Sequence, residues 1–179
     1  PTLSTAASRI FFLFLTALFR ATPIVANMNT AATYELNPLG RGGTVLRVPI
    51  KPDEYLLIEY REGAPGDSRL PANGVLIFHV AESVPQFPPT LQSPYKVSLI
   101  EADDDSTLLR TELQGGNRGT PGDAFGITRA TLRPGEHSRA NAIDGVPFLF
   151  EITDIVIDAP AHKARVRVAP ILAPDRDRS

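Results

Sequence analysis

The apolar positions of this chain fall into two regimes. Ile10 to Phe19 is a continuous apolar run broken only by Thr16 and flanked by Arg9 and Arg20. It is too short to span a bilayer, which takes roughly 20 apolar residues. Two readings fit it: the core of a secretory leader or anchor, with "IVA" at 24–26 ahead of a cleavage point, or a short helix left over from the core of an upstream domain. From Thr33 onward the period shortens to two. "GGTVLRVPI" sets Val45, Arg47 and Pro49 against Thr44, Leu46, Val48 and Ile50, the alternation of a half-buried strand.

Two later segments are apolar at both parities. In "EYLLIEYRE", Leu56 and Ile58 oppose Tyr55 and Leu57; in "VLIFHV", Leu76, Phe78 and Val80 oppose Val75, Ile77 and His79. Strands of this kind are covered on both faces. "TYELNPL", "YKVSLIEAD" and "PFLFEITDIVID" add further strands, and "KARVRVAPIL" alternates Arg165 and Arg167 with Val166 and Val168, which leaves one wet face. Between them lie a loop at 62–74 closing on Asn73-Gly74, a proline-rich connection at 82–94, and an Asp-, Gly- and Asn-rich loop at 103–124. About seven or eight strands without a long helical pattern predict an all-β fold, an antiparallel β-sandwich-like domain. The expected division is an apolar N-terminal segment with a short helix over 1–28, the β-domain over 29–173 and a polar tail over 174–179.

Composition narrows the function. The 17 prolines and 13 glycines are spread through the chain and break it into short pieces, which suits strands and turns. A formal charge of −2 without any basic stripe gives no electrostatic footprint for nucleic acid. With no cysteine, disulfides, thiolate nucleophiles and Cys-based zinc sites are excluded. The start at Pro1 reads as a fragment or a processed product.

Candidate chemistry sits in two places. His79 stands alone in an apolar strand, and no His-Glu-x-x-His helix motif accompanies it; His137 and His162 fall in loop-like segments. It reads as a core histidine bonded to a strand neighbour, with Glu59 the candidate partner, because buried polar groups need partners. Glu59 and Arg61 alternate on one strand face, and a buried carboxylate needs a cation or several donors. Glu59, Arg61 and His79 are therefore expected to form a structural polar cluster, and no residue is assigned a catalytic role. The acidic run "EADDD", Glu101 to Asp105, and "NRGTPGD", Asn117 to Asp123, bring hard oxygen donors onto two loops. Asp103, Asp105 and Asp123 are candidate calcium ligands, although the spacing is not that of an EF-hand; the other reading is a solvated acidic loop. There is no G-x-S-x-G elbow, P-loop or dinucleotide glycine pattern, "PLGRGG" reads as a turn, and the order of Ser, His and Asp singles out no triad.

Taken in order, these pieces resemble a known family. "EYLLIEYRE", then "GDSRLPANG", then "VLIFHVAE" resembles the segment that follows the catalytic core of immune inhibitor A-like zinc metallopeptidases, the M-six family. There a Tyr-rich strand ends in Glu-x-Arg, here Glu59 and Arg61. A Leu-Pro-x-x-Gly turn follows, here Leu70, Pro71 and Gly74, and leads into a strand that closes as Phe78, His79, Val80 and Glu82 do. "VSLIEADDD" and "PGDAF" at 121–125 resemble later pieces, and "ATPIVANMNTAATYELNPL" resembles the approach, so the resemblance spans roughly residues 21–157. Phe78 and Ala81 depart from it, standing where the family carries tryptophan and aspartate. The resemblance implies the non-catalytic β-rich region of a secreted or surface-exposed bacterial metallopeptidase, with the catalytic domain as its partner. Zinc is expected only in that domain, whose His-Glu-x-x-His is not in this chain; calcium is the one cofactor to look for here, and no stable membrane span is expected. The alternative is a stand-alone exported β-sandwich module that recognises protein or carbohydrate. The absence of tryptophan, with only 4 tyrosines, weighs against sugar stacking.

Overall fold

A computed structural model of the protein describes residues 23–63, 72–85, 95–117 and 119–171. Residues 1–22 of the expected N-terminal segment, with the apolar run Ile10–Phe19 and its expected helix, lie outside the described residues, as do the polar tail, Leu70 and Pro71. The rest of that segment joins the β-structure, with Pro23–Val25 in a strand and Ala26 in the core. Among the described residues there are eight strands: β1 (Pro23–Val25), β2 (Ala32–Leu36), β3 (Val45–Lys51), β4 (Glu54–Arg61), β5 (Gly74–Ala81), β6 (Val97–Ile100), β7 (Phe150–Asp158) and β8 (Lys163–Pro170). They make a five-stranded sheet in the order β1-β3-β4-β5-β6 and a three-stranded sheet in the order β2-β8-β7. All pairs are antiparallel except β1 with β3, which is parallel, so the large sheet is mixed. The sequence pattern gave no sign of β1: Pro23–Val25 is three residues long, too short to show a period, and it reads as the flank of the apolar run before it.

One apolar core joins the sheets. The even positions of β3 and β4 and the odd positions of β5 supply Leu46, Val48, Leu56, Ile58, Tyr60, Val75 and Ile77. The small sheet supplies Leu36, Ile152, Ile155, Val166 and Val168, and Phe125, Leu132, Phe148 and Phe150 complete the same cluster. Each such side chain contributes about 1.5–3 kcal/mol when fully buried, which is why the alternation of residues sets which face turns inward. The other face of the large sheet buries Val45, Leu57, Phe78 and Val80, so β4 and β5 are apolar on both sides as their sequences predict. On β8, Val166 and Val168 are buried while Arg165 is exposed, the expected wet face.

Two backbone features adapt the pattern to the core. In "ITDI", Ile152 and Ile155 are three apart, which a regular strand would place on opposite faces. The β7–β8 register shifts between Thr153 and Val156, and Asp154 takes φ +50, so the extra residue is absorbed and both isoleucines are buried. At the β7–β8 turn, His162 adopts φ +54 and its Nδ1 meets the Glu62 carboxylate just beyond β4. This contact ties the hairpin tip to the large sheet. Beside it, burial and the charge of Glu62 push the Tyr60 hydroxyl up to about 12. No helix among the described residues is long and apolar enough to cross a membrane.

Candidate functional site

The acidic loop leaves β6 with its strand alternation still in force. Glu101, Asp103 and Asp105, at every second position, place one carboxylate oxygen each within 4.8 Å of the others. Glu101 is buried and the two aspartates are exposed. Asp104 and Ser106 bend the loop with φ of +65 and +56, a region that aspartate tolerates better than most residues. Short local bonds hold the bend: Asp105 N–H donates to Asp103 Oδ1 at 3.4 Å and Thr107 N–H to Asp105 Oδ1 at 3.0 Å. Glu101 Oε2 accepts from Thr107 Oγ1 and from Leu108 N–H, each at 3.2 Å. Asp104 turns the opposite way and accepts from Ser138 N–H at 3.0 Å and from its hydroxyl.

Asp123 stands beside this group on a short 3-10 turn, Pro121–Asp123. Its carboxylate accepts from Thr120 N–H and Thr120 Oγ1, each at 2.9 Å, and its carbonyl accepts Ala102 N–H at 3.0 Å. A Cβ at Gly122 would fall 2.5 Å from Asp103 Oδ2, the end of an exposed side chain, so Asp103 lies directly over this turn. Burial pushes Glu101 up to about 7 against the pull of the Leu108 N–H, and contact with Asp105 and the charge of Asp123 add to the rise. Asp123 is likewise raised, first by burial and then by the charges of Asp103 and Asp105, against the bonds from Thr120. Asp105 goes the other way: against the effect of burial, the Thr107 N–H lowers its affinity, so Glu101 is the member of the close group whose proton a hard divalent cation would replace as counter-charge. The donor set fits calcium, with the carboxylates supplying part of its six to eight oxygens and carbonyls or water the rest. Of the residues expected from sequence, Asp103 and Asp105 belong to the close group and Asp123 backs it. Glu101, which opens the acidic run but is not among the ligands named from sequence, joins them; its place in an alternating E-x-D-x-D run at a strand exit is a usable signal.

Behind the loop, His137 is locked rather than poised. Its Nε2 donates to the Glu101 carbonyl at 2.8 Å and its Nδ1 accepts Arg139 N–H at 3.1 Å, which fixes a neutral tautomer; burial lowers its proton affinity. The Ser138 hydroxyl donates to Asp104. Ser138, His137 and Asp104 thus have the residue types of a hydrolytic triad but not its connectivity, in which the imidazole takes the hydroxyl proton.

The expected cluster of Glu59, Arg61 and His79 divides in two. Arg61 Nε donates to Glu59 Oε1 at 2.7 Å, and both residues are buried. The β4–β5 register puts His79 opposite Leu56 and Glu59 opposite Leu76, so an odd offset sends His79 and Glu59 to opposite faces of the sheet. The partner of His79 is Glu54: Nε2 meets Glu54 Oε1 at 2.7 Å, and the same oxygen accepts Ile143 N–H at 2.6 Å. Phe148 meets the imidazole edge-on at 6.0 Å, and the cross-strand neighbour Ser98 accepts from Arg139 Nη2 at 2.9 Å. Burial lowers the proton affinity of His79 against the pull of Glu54, and the Arg139 charge lowers it further. A neutral imidazole that donates to a buried carboxylate is a structural crosslink between β5 and β4.

Two sequence motifs some 50 residues apart meet here. Val75 N–H donates to the Phe125 carbonyl at 3.0 Å and Phe125 N–H to the Val75 carbonyl at 2.9 Å. Gly74 lies so close to Ala124 that a Cβ on it would fall 2.5 Å from the alanine methyl. The glycine that ends "LPANG" and the phenylalanine of "PGDAF" therefore fix each other, and with them the position of Asp123. Comparison with family models, with curated proteins and with solved structures gives no match. The described chain is a β-rich domain of two sheets, and its sequence contains neither His-Glu-x-x-His nor cysteine.

Proposed function

We propose that this chain is the non-catalytic, sandwich-like β-region of an exported immune inhibitor A-like metallopeptidase, and that its acidic loop binds calcium to hold the surface that packs against the catalytic domain. The observation that carries the calcium assignment is the convergence of Glu101, Asp103 and Asp105 within 4.8 Å, with Glu101 raised to about 7. The family assignment rests on the ordered motifs, and the contact of Gly74 with the Ala124-Phe125 segment supports it by joining two of them in space. The departure at Ala81 has a local counterpart. Ala81 lies opposite Glu54, so an aspartate there would set a second carboxylate beside the buried one that already serves His79.

In this reading zinc-assisted hydrolysis belongs to residues outside the chain, and Glu59, Arg61 and His79 are scaffold. Incubating the chain with zinc and casein is expected to give no chelator-sensitive cleavage; zinc-dependent turnover by the isolated chain would overturn the assignment. The coding sequence immediately upstream supplies the second test. An in-frame His-Glu-x-x-His segment is the expected result, and an unrelated reading frame there would count against the family.

A further inference from the structure

We draw no further inference here: the strongest candidate, the surface patch of exposed Val146, Leu149 and Ile171 where the 141–147 turn enters the small sheet, carries nothing because nothing in the structure shows what covers it.

Discussion

Gly74→Ala isolates the contact that ties the start of β5 to the acidic loop. The new methyl would fall 2.5 Å from the Ala124 methyl and 3.3 Å from the Phe125 carbonyl, against an optimal carbon–carbon separation of about 3.5–4.0 Å. Gly74 is not among the positive-φ residues, so alanine is compatible with its backbone, and the loss of freedom in the unfolded chain would by itself add about 0.4–1 kcal/mol. Overpacking costs about 1–3 kcal/mol, so the net expectation is a destabilisation of about 1–2 kcal/mol. Ala124→Gly alone removes a buried methyl and loosens the backbone, for a loss of about 1 kcal/mol. In the double variant the methyl has only changed sides. Its loss should therefore be smaller than the sum of the single losses, with a coupling of about 1 kcal/mol or more. Urea unfolding followed by far-UV circular dichroism measures all four proteins. Strictly additive losses, or a Gly74→Ala protein as stable as the parent, would refute the packing argument.

Three further outcomes follow from the buried polar groups. Glu54→Ala strands the Ile143 N–H and the His79 ring donor, for an expected loss of about 2–4 kcal/mol in urea unfolding, whereas Glu54→Gln keeps an acceptor oxygen and should cost clearly less. The histidines and Glu101 act oppositely on stability. His79 and His137 have lowered affinity in the fold, so the unfolded chain binds more protons below about pH 6.5 and their contribution is lost as pH falls through that window. Glu101, raised from 4.5 to about 7, contributes stability that is complete below its unfolded value and lost as pH rises from there through about 7. Denaturation at pH 5.5 and 7.5 should accordingly show the acid-side loss reduced in His79→Gln and the neutral-side loss reduced in Glu101→Gln. If calcium takes the place of the Glu101 proton, which burial holds up to about 7, affinity measured by calorimetry should rise from pH 6 to pH 8, with proton release at the lower pH.

The strands were legible because burial on one or both faces leaves a direct mark on the sequence, as in "LLIEY", "VLIFHV" and "RVRVA". Register was not. The loop between β4 and β5 leaves open which residues face each other, and that choice decided whether His79 met Glu59 or Glu54. The bulge at Asp154 is visible only once Ile152 and Ile155 are both known to be buried, and β1 is too short to show a period. The acidic loop was legible in residue type, through Asp103, Asp105 and Asp123. Its geometry depends on the turn at Asp104 and on the close approach at Gly122, neither of which periodicity encodes.

Isothermal titration of the chain with calcium chloride at pH 8, repeated on Asp103→Asn/Asp105→Asn, decides whether the acidic loop is a calcium site. One calcium is expected to bind per chain, with a higher unfolding temperature in calcium than with chelator, and both effects lost in a variant whose circular dichroism is unchanged. No binding heat and no shift in unfolding temperature at millimolar calcium would contradict it.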